Sequence, residues 1–288
     1  MAIPCSDYSR ICSQGESDLV GDKQKTFIQK HGYLVVPDLL SSQLVEECEM
    51  EIDRLHDLAV EFKSKNDPRA EKFQHEPFAE VERVNGRPVL RKIEPVEEFS
   101  QVFDDLAIHQ PLVDLIRRLL GPDLLLFRST LMLKPAFHGS IHTLHQDVSY
   151  WPVKSSELIT VSIALTDSTP DNGCFKVIPG SHHWPSRKWG EIIRRQDEGL
   201  TDLDNIDTTA QIDVPLKAGS ALLFDSALVH GSGPNCSPNP RHTALFAYFT
   251  PGGTYHPHKD ATQYQTFRVI CGLEGHPSVT LHAETPNH

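Results

Sequence analysis

The residues best suited to chemistry in this sequence are His145, Asp147 and His230. In the run His145-Gln146-Asp147, the imidazole and the carboxylate are two positions apart, and on a strand such residues point to the same face. Two imidazoles and one carboxylate bind one side of Fe(II) and leave other positions open for small molecules. An H-x-D pair alone is common, so the prediction needs His230 to join it from about 85 residues along the chain.

His230 ends an apolar run that starts at Ser220, and a turn in this run predicts two short strands that bring the imidazole to the same cavity. Alone, this histidine would more often be a core or strand-end residue. Arg241 follows the turn-rich stretch 231–240 and opens a strand predicted to be antiparallel to that of His230. Its planar guanidinium can bind a carboxylate with two hydrogen bonds. From position alone, an exposed arginine paired with a surface acid is the better interpretation.

A strand-rich region must position these side chains. From Asp123 onward, the sequence predicts short strands separated by Gly, Pro, Asn and Asp. They cover residues 124–133, 141–145, 158–165, 174–178, 210–214, 220–224, 228–230 and 243–249. Short strands with turns between them are typical of a double-stranded β-helix, the cupin-like jelly-roll barrel. The predicted fold class is therefore mainly β with flanking α-helices.

The N-terminal part predicts helices that brace this barrel. Amphipathic spacing predicts them over residues 23–31, 42–63 and 102–120. We interpret residues 1–288 as one domain, made of a loose N-terminus (1–20), a helical bracing region (21–122), a jelly-roll core (123–250) and a C-terminal extension (251–288). Residues 64–83 are charged and predict a mobile loop. The insertion 184–207 is predicted either as a lid or as a solvated surface loop.

Charge limits the partners. Asp and Glu number 39 against 27 Lys and Arg, a formal net charge of −12, and a field of that sign repels phosphate backbones and anionic membranes. We therefore expect no nucleic acid and no membrane as partner. No stretch approaches the ~20 apolar residues of a membrane span, and the N-terminus lacks a secretory pattern, which predicts a cytoplasmic protein. The six cysteines form no C-x-x-C pair, which favours free thiols.

Ordered motifs extend this picture over residues 25–250. They are Gly32-Tyr33-Leu34-Val35-Val36-Pro37, Leu144-His145-Gln146-Asp147, Ala164-Leu165-Thr166-Asp167, the stretch from Asp171 to His182, Leu223-Phe224-Asp225, His230, Asn235 and Arg241. In these residues and their order the chain resembles the phytanoyl-CoA dioxygenase (PhyH-like) family of Fe(II)/2-oxoglutarate-dependent oxygenases.

The resemblance implies roles for particular residues. His145, Asp147 and His230 are expected to bind Fe(II), and Arg241 to bind the distal carboxylate of 2-oxoglutarate, with O2 as the second cosubstrate. Lys134 and Thr143 match positions that help bind 2-oxoglutarate in some members. Members that halogenate lack the carboxylate, so the presence of Asp147 favours hydroxylation or a related oxidation.

The expected substrate is a small organic molecule of specialised metabolism. The residues that we expect to contact it are Tyr150, Trp151, Phe246, Tyr248, Arg91 and Gln74. For each aromatic residue a place in the hydrophobic core is an equally good interpretation. Three alternatives stay open: a cupin-like protein that binds a metal or ligand without turnover, a 2-oxoglutarate-independent metal enzyme on the same barrel, and a protein hydroxylase.

Overall fold

The computed structural model describes residues 21–84, 86–186, 206–257 and 261–284. The N-terminus predicted to be loose, residues 1–20, lies outside this part of the chain. Of the insertion predicted as a lid or surface loop, only residues 184–186 and 206–207 are described. Both expectations therefore stay predictions.

The helices of the N-terminal part are α1 (Asp22–His31), α2 (Ser42–Ser64), α3 (Gln101–Ala107) and α4 (Gln110–Leu120). Helix α2 begins where the Ser41 hydroxyl accepts a hydrogen bond from the Leu44 amide, which satisfies a free amide of the first turn. Its buried side chains, from Cys48 to Phe62, recur every three or four residues and face the core. Within the described ranges, no helix is long and apolar enough to cross a bilayer.

A break separates α3 from α4. The sequence predicts one helix over residues 102–120, but α3 ends at Ala107 and α4 starts at Gln110. Pro111 lies in the first turn of α4. Proline has no amide hydrogen and its ring clashes with a preceding helical turn, so a helix can start at it but does not run through it. The prediction of one continuous helix is wrong for this reason.

The strands pair in the antiparallel sense. They are β1 (Tyr33–Val36), β2 (Phe73–His75), β3 (Arg83–Val84), β4 (Arg87–Pro88), β5 (Leu90–Ile93), β6 (Leu124–Lys134), β7 (His142–His145), β8 (Val153–Lys154), β9 (Leu158–Ala164), β10 (Phe175–Val177), β11 (Ile212–Val214), β12 (Ala221–Asp225), β13 (His230–Ser232), β14 (Arg241–Phe249), β15 (Thr254–Tyr255), β16 (Tyr264–Cys271) and β17 (Ser278–His282).

Two sheets form the barrel. The larger has the order β1-β12-β9-β14-β6-β16-β17, and β5 pairs with β6 and carries β2 on its other side. The smaller has the order β11-β10-β13-β7. A cavity is lined by residues from both sheets, so the sheets face each other across it. This arrangement confirms the predicted fold class, a mainly β jelly roll with flanking helices.

The larger sheet has two different faces. Along β14, Phe246 and Tyr248 join the hydrophobic core that the N-terminal helices share. Leu245 and Ala247, which alternate with them, line the cavity instead. Side chains alternate between faces along a strand, so one strand contributes both to the core and to the site.

The segment predicted as a charged loop, residues 64–83, contains regular structure. A 3-10 helix spans Pro68–Lys72, and β2 follows it. Phe73 is 3% exposed, and its ring centroid lies 5.7 Å from that of Phe62 and 4.9 Å from that of Phe99. One buried aromatic residue thus anchors a polar segment, and the next residue, Gln74, lines the cavity.

Candidate active site

The two histidines and the aspartate predicted to act together lie together. His145 ends β7 and His230 starts β13, and the two residues are register partners in the smaller sheet. Their ring centroids are 4.4 Å apart. Asp147 follows in a 3-10 turn, Asp147–Ser149. One ligand atom of each residue lies within 4.8 Å of the others.

Asp147 reaches this cluster through a turn. The sequence predicts an i, i+2 pair on one strand, but β7 ends at His145, so this part of the prediction is wrong. The Asp147 carboxylate oxygens lie 3.4 Å from Nε2 of His145 and 3.9 Å from Nε2 of His230. All three residues are at most 9% exposed. The three potential donors therefore converge in a place shielded from solvent.

Backbone carbonyls determine which ring nitrogen of each histidine is free. Nδ1 of His145 lies 2.8 Å from the carbonyl oxygen of Thr143, and Nδ1 of His230 lies 3.0 Å from that of Leu228. A carbonyl only accepts, so Nδ1 of a neutral ring carries the hydrogen and Nε2 keeps its lone pair. A hydrogen-bond partner of this kind orients a metal-binding histidine and makes it a stronger ligand.

The charges of the cluster suit a divalent cation. Burial, followed by the neighbouring His145, lowers the pKa of His230 to about 4, so this ring is neutral near pH 7. Burial alone raises the pKa of Asp147, but the two imidazoles outweigh it and the pKa is lowered. Two lone pairs and one carboxylate on one side of a site are the donor set of non-haem Fe(II) oxygenases, so the residues fit this metal.

Arg241 starts β14 and lines the same cavity. The sequence predicts its strand to be antiparallel to that of His230. The two strands lie in different sheets, because β14 pairs with β6 and β9 in the larger sheet and β13 belongs to the smaller one, so their relative direction stays a prediction. Arg241 is 2% exposed, and one of its Nη atoms donates to the Gly173 carbonyl at 2.5 Å. Its Nε is buried and has no hydrogen-bond partner among the described residues.

The unused donor of Arg241 fits a carboxylate ligand. Burial lowers the pKa of Arg241 to about 10, so the side chain stays charged at neutral pH. A buried cation with an unmade hydrogen bond is costly unless an anion completes it. Gly173, which holds the other side of the guanidinium, has a φ of +82°. A Cβ there would lie 2.4 Å from the Gly233 carbonyl oxygen, so the turn requires glycine.

The other two residues predicted to bind the cosubstrate contact the backbone. Lys134 is 4% exposed, and its ammonium donates to the carbonyls of Ser140 and Gly233, the latter at 2.6 Å. Thr143 is half-buried and contributes its carbonyl to His145. Neither side chain is among the cavity-lining residues in the described part of the chain. Their part in binding the cosubstrate stays a prediction.

A cavity of about 320 Å³ is lined by His145, Asp147 and His230, the candidate metal-ligand cluster, and by Arg241. Four of the residues predicted to contact substrate line it, namely Tyr150, Trp151, Arg91 and Gln74. Contact with substrate itself stays a prediction for each of them. Cavities of a few hundred cubic ångströms hold small organic molecules.

Phe246 and Tyr248 do not line this cavity. Both are 0% exposed in the core beside the helices, and the Tyr248 hydroxyl donates to the Ala107 carbonyl at 2.8 Å. The sequence predicts them as residues that contact the substrate, and the structure corrects this. Alternation along β14 is right, but the side of the strand that faces the cavity is the other one, with Leu245 and Ala247.

Several polar residues of the cavity wall are not predicted from the sequence. Lys92 and Arg128 line it and share ion pairs with Glu94. His142 also lines it, and its ring centroid lies 4.9 Å from that of His145. A signal for Arg128 was present, because a charged residue inside an otherwise apolar strand marks the face that is not in the core.

Comparison with known proteins gives consistent matches. The family model of phytanoyl-CoA dioxygenase (PhyH) matches residues 28–243. An ectoine dioxygenase from Nocardia farcinica (strain IFM 10152) is 29% identical over 245 residues, 80% of this chain and 78% of the relative. The peroxisomal phytanoyl-CoA dioxygenase of Rattus norvegicus is 25% identical over 229 residues, 76% of this chain and 65% of the relative.

Solved structures extend the comparison to the fold. EctD from S. alaskensis with bound Fe is 25% identical with a TM-score of 0.65, over 85% of this chain and 82% of that chain. EctD from the same source with 2-oxoglutarate and 5-hydroxyectoine is 24% identical with a TM-score of 0.65, over 87% and 84% of the two chains. The family match includes the metal-ligand cluster and Arg241. The chain thus belongs to the phytanoyl-CoA dioxygenase (PhyH) family and is an Fe(II)- and 2-oxoglutarate-dependent oxygenase.

Proposed function

We propose that this oxygenase hydroxylates a small organic metabolite in the cytoplasm, with His145, Asp147 and His230 as the iron ligands and Arg241 as the anchor of 2-oxoglutarate. One observation carries the proposal. Two imidazoles and a carboxylate each offer a ligand atom, and these atoms lie within 4.8 Å of one another, in a cavity that is also lined by a buried arginine with an unused donor.

The residues of the chain bind and orient, while the cofactor supplies the oxidation. Bound Fe(II) couples oxidation of a substrate by O2 to the conversion of 2-oxoglutarate into succinate and CO2. The two histidines and Asp147 would hold the metal through two ring nitrogens and a carboxylate oxygen. Arg241 donates hydrogen bonds to the distal carboxylate of 2-oxoglutarate and so sets its position.

Three observations support the choice of reaction, substrate size and compartment. The ligand Asp147 takes the position that a halide would need, which favours hydroxylation over halogenation. The cavity of about 320 Å³ has to hold both cosubstrate and substrate, which favours a small metabolite. The cysteines in the described part of the chain, Cys48, Cys174, Cys236 and Cys271, are unpaired, as expected in a reducing compartment.

The Asp147→Ala variant tests this proposal. Purified protein with Fe(II), ascorbate and 2-oxoglutarate under air should release succinate, measured by mass spectrometry. In the variant, we expect iron affinity and succinate release to fall by more than ~100-fold, since even the outer partners of metal ligands change affinity 10- to 100-fold. Asp57→Ala, at an exposed site on α2, is the matched control and should behave like the wild-type protein.

A second measurement separates cofactor binding from turnover. Under anaerobic conditions the chelate of 2-oxoglutarate with Fe(II) absorbs visible light, and the wild-type protein should develop this absorbance while Asp147→Ala should not. Iron binding without the absorbance, and without succinate when metabolite extracts are supplied, would overturn the proposal. A cupin-like binding protein or a 2-oxoglutarate-independent metal enzyme would then replace it.

A further inference from the structure

One wall of the cavity carries excess positive charge. Arg91, Lys92 and Arg128 line it, although the chain as a whole has a formal charge of −12. Lys92 and Arg128 form ion pairs with the same carboxylate, that of Glu94. Three cations against one carboxylate leave this wall with a net positive charge. A surplus against the sign of the whole molecule marks the type of ligand that the wall attracts.

In the part of the chain that the structure describes, Arg91 is the cation of this wall without an ion-pair partner. Its side chain is half-buried and forms no hydrogen bond or ion pair with the described residues. Burial lowers the pKa of Arg91, and the carboxylate of Glu76 opposes this effect from a distance. Glu76 uses one oxygen to accept a hydrogen bond from the Ser140 amide at 3.3 Å, and its other oxygen has no partner in this part of the chain. Among the described contacts, Arg91 and Glu76 thus form neither a hydrogen bond nor an ion pair with each other.

A β-bulge aims Arg91 into the cavity. Gln74 on β2 is opposite Lys92 on β5. The next pair is His75 with Leu90, which leaves Arg91 as the extra residue of β5. In a regular strand, Arg91 and Lys92 would point to opposite faces, yet both line the cavity while Leu90 is 0% exposed in the core. Bulges near active sites often redirect a side chain in this way.

We propose that the metabolite oxidised here carries an oxyanion, a carboxylate or a phosphate, and that Arg91 binds this group. The inference rests on the proposed function, because it assumes that the substrate lies in this cavity beside Fe(II). With Fe(II) and 2-oxoglutarate bound, the charges of metal, Asp147, cosubstrate and Arg241 cancel. We therefore expect the anion that compensates the charge of Arg91 to come with the substrate. A guanidinium suits this task since it binds both oxyanions with paired hydrogen bonds.

The cost of an unpaired cation gives a first test. Arg91→Gln removes a partly desolvated charge that has no partner, so the melting temperature of the ligand-free protein should stay the same or rise. If Arg91 were instead a structural partner of Glu76, the variant would melt at a lower temperature. Arg87→Gln is the matched control, because it removes the same charge from the chain. Arg87 is exposed and forms an ion pair with Asp53.

Binding of matched neutral and anionic probes gives the decisive test. Isothermal titration calorimetry of anaerobic protein, loaded with Fe(II) and one equivalent of 2-oxoglutarate, compares benzoate with benzamide and phenyl phosphate with phenol. We expect an anion to bind at least tenfold more tightly than its neutral analogue. Arg91→Gln should abolish this preference, Arg91→Lys should keep part of it, and Arg87→Gln should keep all of it. The two pairs of probes separate a carboxylate site from a phosphate site.

Several outcomes would overturn the inference. These are equal affinity for charged and neutral probes, no anion bound at millimolar concentration, an unchanged preference in Arg91→Gln, or a raised KM for 2-oxoglutarate in that variant with intact probe binding. Failure of the proposed function looks different. In that case succinate and the visible absorbance are missing in the wild-type protein, whereas the preference for anions and its loss in Arg91→Gln do not depend on turnover.

Discussion

Both candidate histidine ligands are oriented by the same local contact. In each of them, Nδ1 meets the backbone carbonyl of the residue two positions earlier, Thr143 for His145 and Leu228 for His230. In both cases the backbone just before the histidine orients the imidazole. Arg241 differs, because its guanidinium depends on the carbonyl of a distant turn at Gly173.

At this scale, Arg241→Lys keeps the charge and removes the planar fork. We expect KM for 2-oxoglutarate to rise roughly tenfold to hundredfold, because hydrogen bonds to charged groups contribute about 1.5–3 kcal/mol and lysine does not bind a carboxylate bidentately. Succinate formation at varied 2-oxoglutarate concentration measures this. Arg117→Lys, at a half-exposed site on α4, is the control. An unchanged KM in Arg241→Lys would contradict the role proposed for Arg241.

Two strands show how an element divides its residues between core and site. Strand β14 alternates regularly, with Phe246 and Tyr248 in the core and Leu245 and Ala247 in the cavity. Strand β5 does not alternate, because its bulge places two successive cations on the cavity side. Beyond Arg241 at its start, the regular strand gives the cavity an apolar surface, and the irregular strand gives it two cations.

The orientation of β14 predicts the effect of Tyr248→Phe. This change removes the hydroxyl that donates to the Ala107 carbonyl at 2.8 Å, so the free energy of unfolding should fall by about 1 kcal/mol. KM for 2-oxoglutarate and the rate of succinate release should not change, since the ring lies outside the cavity. Urea denaturation and the succinate assay measure both. Tyr264→Phe, at a side chain that is 56% exposed on β16, should change neither.

A result with normal stability but altered turnover would reverse this interpretation of β14. Tyr248 would then belong on the cavity side, and Leu245 and Ala247 would belong in the core. The comparison of stability with activity therefore tests the orientation of the whole strand rather than one contact.

For the whole molecule, a half-buried carboxyl group makes the free energy of unfolding depend on pH. Glu97 is half-buried and accepts a hydrogen bond from the Ser129 hydroxyl. Burial, followed by the nearby carboxylates of Glu98 and Asp104, raises the pKa of Glu97 to about 7, and Arg268 opposes this only in part. The folded state therefore binds a proton more tightly than the unfolded state, in which the value is near 4.5.

The raised pKa of Glu97 lowers the free energy of unfolding as pH rises. Between pH 4.5 and 7 the folded state holds more protons at Glu97, so the free energy of unfolding falls as pH rises through this range and levels off above it. In Glu97→Gln, the free energy of unfolding should not show this fall. The stability of the variant relative to the wild-type protein should therefore increase from pH 5 to pH 8. Urea denaturation at both pH values measures it, with the exposed Glu46→Gln as control. A difference that does not change with pH would contradict the raised pKa.

The sequence by itself determined the chemistry of the site and the class of the fold. His145, Asp147 and His230 were found from the kinds of donor that they offer and from their place beside predicted strands, whereas the role of Arg241 came from the resemblance to a known family. The strands themselves were found from short apolar runs between turn residues, and most of their limits agree with the structure to within a few residues. Donor chemistry, turn formation and strand propensity are local properties, so a sequence is enough to read them.

Only the tertiary structure decided which way these elements face and what lies opposite them. It placed Asp147 on a turn, put Arg241 in the other sheet from His230, and turned Phe246 and Tyr248 away from the cavity. The positive wall made by Arg91, Lys92 and Arg128 also appears only when β5 and β6 pair. The physical reason is that strand register depends on contacts far apart in the chain, and a shift of one residue exchanges the two faces of a strand.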